Sequence, residues 1–173
     1  MRALQQNAGT LASRDEDPLT MKYSRSIPSP SVDEMSLDCL VGRRLTSIDT
    51  SGVPGCWLLH FGDAVALSVE APWRLVSAHG ITIANIDHEE MFGHASPVDA
   101  VARLVESIGS RPVLNASAGR LPADLTLDFG DHWRFEVFAQ SCGYESWTLW
   151  KPDGTQLVGM GGGHIAAYRE NAG

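Results

Sequence analysis

Apolar and polar residues alternate along two short stretches of the chain, and the same Gly-Asp turn interrupts each stretch. The first stretch, WLLHF and VALSV, covers residues 57–69, and the second, LTLDF and WRFEVF, covers residues 125–138. A period of two is typical of half-buried strands, and a Gly-containing break between two such runs indicates a hairpin turn. Each stretch therefore predicts a β-hairpin with one apolar face.

The register of both hairpins follows from the parity of their apolar positions, which are odd-numbered on both sides of the turn. Opposed residues of an antiparallel pair lie on one face, so the loop must contain an odd number of residues. The loops Gly62–Ala64 and Gly130–His132 satisfy this condition. The predicted opposed pairs are Phe129 with Trp133, Leu127 with Phe135, and Asp128 with Arg134 on the wet face.

The two hairpins are also similar in sequence at an offset of 68, where positions 59–69 and 127–137 share five identities in eleven, including Phe-Gly-Asp. We interpret this similarity as an internal repeat, with half-repeats at about 37–86 and 110–168. The alternative is convergence, because any amphipathic hairpin needs alternating apolar residues and a turn.

A helix is predicted between the two halves, at about 97–108. Ser96 is its predicted cap, Pro97 suits its first turn, Asp99 completes an S-x-x-D box, and Gly109 is the expected stop. Apolar residues recur at helical spacing at Val98, Val101, Ala102, Val105 and Ile108. The predicted fold is α+β: two similar antiparallel β-meanders, packed together and joined by this one main helix.

The chain divides into a predicted tail and a predicted single domain. Residues 1–36 show no sustained period and contain the Ser/Pro stretch SIPSPS, so we expect a flexible N-terminal tail. Within it, Met21 is an alternative start site to Met1. Residues 37–173 are long enough to form one domain with its own core.

Charge and composition limit the classes of partner. The net charge is −8, and residues 37–173 carry −7 of it, from nine basic and sixteen acidic residues. Nucleic acid is a disfavoured ligand, because binding it requires a basic patch, whereas a basic protein partner is permitted. No apolar run reaches membrane-spanning length and no stretch resembles a signal peptide. We therefore expect a cytoplasmic protein, with Cys39, Cys56 and Cys142 as unpaired, buried small hydrophobes.

The richest cluster of potential metal ligands is DHEEMFGH, residues 87–94. His88 and His94 are six positions apart, with Glu89 and Glu90 between them, and metal sites more often use helical i,i+4 spacing or a remote third ligand. A solvated loop is the favoured interpretation. The alternative function is a metal- or small-molecule-binding protein, such as a hydrolase, that uses this cluster or a pocket between the meanders.

No assembled catalytic motif is present elsewhere in the sequence. The GMGGGH stretch, residues 159–164, lacks the Lys-Ser/Thr of a phosphate-binding loop, so it predicts a tight bend or bulge between strands. Neither G-x-S-x-G nor H-E-x-x-H occurs. We therefore favour a non-enzymatic binding protein without a cofactor; a third alternative is a structural subunit that dimerises through an exposed sheet edge.

The CGYESW stretch, residues 142–147, is an insertion that the first half lacks. Trp147 matches Trp73 of the first half and is predicted to pack in the core. Tyr144 and Glu145 are freer to bind a partner, since tyrosine is enriched at protein interfaces. Asp153 belongs to the turn sequence KPDG and is the third predicted partner-binding residue.

The segment GYESWTLWKPDG, followed by GGG, resembles the tail of small bacterial proteins of unknown function, many of them actinobacterial. Some of these proteins are similar to immunity proteins of polymorphic toxin systems. The resemblance covers residues 93–168 and is clearest over 143–163, where its motifs are structural rather than catalytic. It implies a non-enzymatic α+β protein that covers a partner protein, here through an acidic surface, and it transfers no site residues.

Overall fold

The structure is a computed structural model that describes residues 35–169. The predicted tail, residues 1–36, therefore lies almost entirely outside the described residues, as does Met21. Within the described part, the chain forms eleven strands and one α-helix, which confirms the α+β class. The strands are β1 Ser47–Asp49, β2 Trp57–His60, β3 Ala66–Val69, β4 Trp73–Ser77, β5 Gly80–Ala84, β6 Asn115–Ala118, β7 Leu125–Asp128, β8 Arg134–Val137, β9 Trp147–Trp150, β10 Thr155–Gly159 and β11 Ile165–Arg169, and α1 is Ala100–Ile108.

The strands form two open antiparallel sheets. One has six strands in the order β1-β2-β3-β9-β10-β11, and the other has five in the order β5-β4-β8-β7-β6. Alternate residues of both sheets are buried in one continuous core, as the period-two pattern predicts. Between β5 and β6, α1 buries three residues of one side, Ala100, Leu104 and Ile108.

The hairpin register predicted from loop parity is confirmed. Leu127 lies opposite Phe135 and Asp128 opposite Arg134, while the amide of Phe129 donates to the carbonyl of Trp133 at 2.9 Å. Phe129 is buried, and Gly130 has a φ of 77°, the left-handed conformation that glycine adopts without steric cost.

The side chain of Asp128 does not pair with Arg134, as cross-strand opposition suggested. Its carboxylate instead accepts a hydrogen bond of 2.7 Å from the amide of Gly130. Arg134 donates to Glu136 at 3.1 Å. The register was therefore right and the ion pair wrong, because a short aspartate reaches the turn amides of its own chain more readily.

The arrangement of the two meanders differs from the prediction. Each half was expected to form its own meander, but the chain crosses between the sheets after β3 and again after β8. Strand β4 therefore pairs with β8, and β9 pairs with β3, so that each sheet contains strands from both halves. An amphipathic strand shows the same alternation whichever sheet it joins, and for this reason the exchange left no mark on the hydrophobic pattern.

The pairing pattern of the two halves corresponds at an offset of 68. Ile48 lies opposite Leu59 in the first half, and Ala116 opposite Leu127 in the second. The bridge between Arg44 and Pro112 joins two positions that are themselves 68 apart. These are correspondences of backbone pairing; a repeat of sequence between the halves stays a prediction.

The helix begins later than predicted. Residues 97–99 are not helical, and Asp99 rather than Ser96 is the N-cap, its carboxylate accepting from the amide of Ala102 at 2.9 Å. The preceding segment is held instead by a backbone hydrogen bond from Glu89 to Val98. The predicted stop is confirmed, with Gly109 as the C-cap at a φ of 57°.

Two tryptophans lie at equivalent places in the core, and both are 1% exposed. The indole nitrogen of Trp147 donates to the carbonyl of Ala123 at 2.7 Å, whereas that of Trp73 has no hydrogen-bond partner among the described residues. A Cβ atom at Gly159 would lie 2.5 Å from Nε1 of Trp147. Glycine at this position therefore lets the Trp147 ring lie against β10.

The remaining local expectations have mixed outcomes. Gly161–Gly163 form a short 3₁₀ turn between β10 and β11, which confirms the predicted bend. The cysteines are free, as expected, but Cys142 is exposed and the other two are only half-buried. Burial raises the pKa of the Cys39 thiol, which weakens its character as a nucleophile.

Candidate protein-binding surface

The outer face of the five-stranded sheet is charged and internally paired. The Arg74 guanidinium donates to the Glu136 carboxylate at 2.7 Å, and Arg134 donates to the same carboxylate at 3.1 Å. Arg74 also lies over the ring of Phe138, 4.8 Å from its centroid. These groups satisfy one another, so the face is a solvated ion-pair network of the kind that contributes little to stability or binding.

The outer face of the six-stranded sheet carries no charged side chain on β2, β3, β9, β10 or on β11 before Arg169. One row across this face is, in register, His60, Ala66, Trp150, Gln156 and Tyr168. The next row is Leu58, Ser68, Thr148, Val158 and Ala166. Most of the second row is buried, and only Trp150 and Tyr168 of these large side chains are substantially exposed.

The largest exposed apolar group in a single segment lies in the loop between β5 and α1. We call residues 85–98 the 85–98 loop. Ile86 is 73% exposed, Phe92 64% and Met91 46%, while Ile81 of the neighbouring edge strand is 63% exposed. Single exposed apolar residues are common, but four within twelve positions mark a surface suited to binding.

The charge of this region has one sign. No lysine or arginine occurs between Arg74 and Arg103, whereas the 85–98 loop carries Asp87, Glu89 and Glu90. Both glutamates are exposed. An apolar surface edged by carboxylates is complementary to a partner with apolar and basic side chains.

Side-chain hydrogen bonds fix the start of the 85–98 loop to the sheet. Asn85 Oδ1 accepts from the amide of Trp73 at 3.1 Å, and Asp87 Oδ2 accepts from the amide of Ala84 at 2.8 Å. His88 is held on two sides. Its Nδ1 accepts from the amide of Ala100 at 3.2 Å, and its ring meets Trp57 edge-on, with centroids 5.1 Å apart.

Backbone hydrogen bonds close the same loop on itself. The amide of Glu89 donates to the carbonyl of Val98 at 2.8 Å, and the amide of Val98 donates to the carbonyl of Glu90 at 2.9 Å. Met91 and Phe92 lie between these points and project from a tied base. A surface held in this way loses little conformational entropy on binding, which favours affinity.

The exposed tip has a strained backbone. Glu89 has a φ of 65° and Phe92 a φ of 41°, both in the left-handed region, which costs a residue with a side chain roughly 1–2 kcal/mol. Gly93 follows at a φ of 77°. Strain of this kind persists where the surroundings impose it, and it is concentrated at functional segments.

A groove of about 370 Å³ adjoins the loop on the side of α1. It is lined by residues 94–99 and by Ala102, Arg103 and Glu106 of the helix. Because the groove opens beside the exposed tip, a partner that covers Phe92 would also meet the polar side of α1.

The residues of the predicted metal alternative do not form a metal site. Among residues 35–169, no three or more His, Cys, Asp or Glu side chains are grouped so that they could hold a metal ion. His88 is turned to Trp57 and Ala100, while Glu89, Glu90 and His94 are exposed. The geometry of the cluster therefore favours a scaffolded loop.

The three predicted partner-binding residues are not brought together. Tyr144 is 82% exposed and Glu145 is exposed, both in the loop before β9. Asp153 lies in the turn after β9, beyond a strand of four residues that spans about 13 Å. Asp153 accepts a hydrogen bond of 3.0 Å from the amide of Thr155 and lies 3.8 Å from Arg169, so it is engaged locally.

The sequence pointed to the right segment for the wrong reason. Attention fell on the ligand types of residues 87–94, whereas the exposed side chains that distinguish the surface are Ile86, Met91 and Phe92. One signal was available: three apolar residues sit in a stretch with no helical or strand period and with acidic neighbours.

Comparison of the chain with protein-family models, with curated proteins and with solved structures found no match. Within residues 35–169, no helix has the length and apolar character needed to cross a membrane. The class of protein is therefore inferred from the fold and from this surface alone.

Proposed function

We propose that this chain is a non-enzymatic binding protein that covers a basic partner protein with its 85–98 loop. The observation that carries the proposal is a tied, strained loop that projects Met91 and Phe92 into solvent beside exposed Glu89 and Glu90. Apolar anchors supply affinity at the centre of such an interface, and surrounding carboxylates orient the partner and speed its encounter.

The proposed setting is the cytoplasm, and the proposed role is immunity-like. The resemblance of residues 143–163 to proteins related to toxin immunity supports this role, as does the acidity of the chain. A protein of this type acts by covering a surface of its partner, so it requires no catalytic group or cofactor of its own. The covered partner would be a toxin with a basic surface.

Site-specific photo-crosslinking in the native host tests which surface binds. A photoreactive phenylalanine analogue at position 92 is expected to capture one protein repeatedly, and the same analogue at Val53, which is 65% exposed, serves as the matched control. The analogue at position 144 tests the surface predicted from sequence. Capture of the partner from position 144 but not from position 92 would contradict the assignment to the 85–98 loop.

Binding of the captured protein, once purified, tests the chemistry. Glu89→Lys/Glu90→Lys should weaken binding by tenfold or more, and Asp63→Lys/Asp131→Lys changes the net charge equally at two exposed hairpin turns. Equal losses in both double variants would mean that only long-range attraction acts. A partner whose binding is unaffected by salt and by both variants would contradict the proposed acidic contact.

A further inference from the structure

The two open sheets leave four edge strands, and three of them are protected against pairing with another chain. Strand β1 has only three residues and includes Asp49. Strand β5 contains an irregularity in its register opposite Leu75 and Val76. Strand β6 is covered by the 3₁₀ turn Asp38–Leu40. Short edges, charges, bulges and covering segments are the usual means of preventing edge-to-edge association.

Strand β11 lacks these features. It has five residues and pairs with all five residues of β10 without a register shift. It contains no proline, and residues 154–168 include no lysine, arginine, aspartate or glutamate. Within residues 35–169, no strand lies beyond β11 in its sheet. An edge that is regular and almost uncharged is a template for a further strand.

The hydrogen-bond pattern identifies the backbone groups that face outward from this edge. The amide of Met160 donates to the carbonyl of His164 at 2.7 Å, so this opposed pair is hydrogen-bonded. Hydrogen-bonded and non-bonded pairs alternate along an antiparallel ladder. Ala166 and Tyr168 therefore direct their backbone groups to β10, and Ile165, Ala167 and Arg169 direct theirs outward.

We infer that β11 pairs with β11 of a second copy of this chain, antiparallel and centred on Ala167. This register is the one that overlaps all five residues. On the outer face it places Tyr168 opposite Ala166 of the second copy, so that a ring packs against a methyl group. On the other face it places Ile165 opposite Arg169 of the second copy, whose aliphatic stem can cover the apolar side chain.

Charge favours this edge over other surfaces as a contact between copies. Residues 35–169 hold nine basic and fifteen acidic residues, which gives a net charge of −6. Two copies therefore repel each other at most orientations. At β11 the nearest carboxylate is Asp153, and Arg169 lies 3.8 Å from it. The edge is thus a place where two acidic copies can approach without facing unpaired carboxylates.

The paired edge is small, so we expect weak, concentration-dependent association rather than an obligate dimer. The inference does not depend on the proposed function, because the 85–98 loop follows β5 of the other sheet. Loss of the β11 contact should leave crosslinking from position 92 unchanged, and the two proposals can therefore fail separately.

Disulfide trapping tests the register directly. Across a hydrogen-bonded pair the Cα atoms are about 5.5 Å apart, within the range of about 4.4–6.8 Å that a disulfide requires. In full-length protein with Cys142→Ser, Ala167→Cys should form a disulfide-linked dimer on mild oxidation. The matched control is Ala118→Cys on the edge strand β6, in the same background. Equal dimer yields for the two variants, or none for Ala167→Cys, would overturn the inference.

Sedimentation velocity over a concentration series of the full chain supplies the second measurement. Ala167→Pro removes an outward amide without touching the β10 ladder and should abolish dimer formation. Tyr168→Ala leaves the backbone intact and should weaken the dimer by about tenfold, with Tyr144→Ala as the control. If Ala167→Pro does not fold, Tyr168→Ala decides; a dimer unaffected by it, or a monomer at every concentration, would overturn the inference.

Discussion

The hairpin of β2 and β3 and the hairpin of β7 and β8 solve the same packing problem in different surroundings. In each, an arginine four residues beyond a carbonyl donates to it: Arg43 to Cys39 at 2.7 Å, and Arg111 to Ser107 at 3.1 Å. The first arginine then also donates to the carbonyl of Phe61, whereas the second lies over the ring of Trp133. Backbone requirements recur between the halves, and the outward side chains differ.

The halves differ most after their last paired strands, β5 and β10. After β5 the chain forms the 85–98 loop and then α1, whereas after β10 it makes only the turn Gly161–Gly163 before β11. Both proposed contacts, the acidic loop and the β11 edge, lie in these unequal segments. Where two halves share a fold, the parts that they do not share are the first candidates for function, since packing explains the rest.

The largest effects should come from the positions at which the hairpins are alike. Phe61 and Phe129 are 1% and 3% exposed, and each ends a strand beside the turn. Phe61→Ala and Phe129→Ala should each lower the free energy of unfolding by about 3–5 kcal/mol, measured by denaturant titration. Costs that differ by more than half would show that the two core positions are not equivalent.

The second prediction compares the two tryptophans. Phenylalanine at position 147 leaves the carbonyl of Ala123 without its donor, whereas at position 73 it removes an indole N–H that has no partner among the described residues. Trp147→Phe should therefore cost about 1–3 kcal/mol more than Trp73→Phe in the same unfolding measurement. Equal costs would show that Trp73 Nε1 has a partner, such as the face of Trp57, whose ring lies edge-on at 4.8 Å.

The third prediction concerns Asp128, which occupies the position of His60 in the first hairpin. Because its carboxylate accepts from the amide of Gly130, Asp128→Ala should cost about 1 kcal/mol, with little dependence on salt. Arg134→Ala, which removes an ion pair with Glu136, should cost less and lose its effect at high salt. A strong salt dependence for Asp128→Ala would restore the cross-strand ion pair that the sequence suggested.

The sequence predicted the hairpin registers, because alternation and loop parity together allow a single pairing. It could not predict which sheet β4 would join, since a strand has the same pattern in either sheet. The start of α1 was ambiguous, because Ser96 and Asp99 are both good caps and the hydrogen bonds of Val98 decide between them. The exposure of Phe92 was hidden, because apolar letters in a loop look the same whether they point inward or outward.

The smallest predicted effect lies in the turn between β9 and β10, which contains Asp153. The backbone amide of Thr155 is the main cause that lowers the pKa of this carboxyl below its ordinary 3.8, followed by the Thr155 hydroxyl, with Lys151 and Arg169 contributing less. A lowered pKa in the folded state means that ionised Asp153 stabilises the fold above its unfolded pKa. That contribution is lost as pH falls through the lowered value.

Asp153→Asn keeps a side-chain acceptor for the Thr155 amide but cannot ionise. The variant should therefore melt slightly below the parent protein at neutral pH, and the two melting temperatures should converge as the pH falls below 3.8. Thermal unfolding at both pH values measures this difference. The turn between β4 and β5 has no aspartate, and it carries His79 where a carboxylate could otherwise act. A gap that persists at low pH would mean that Asp153 acts through shape alone, and the turns of the two halves would then be more alike than their sequences indicate.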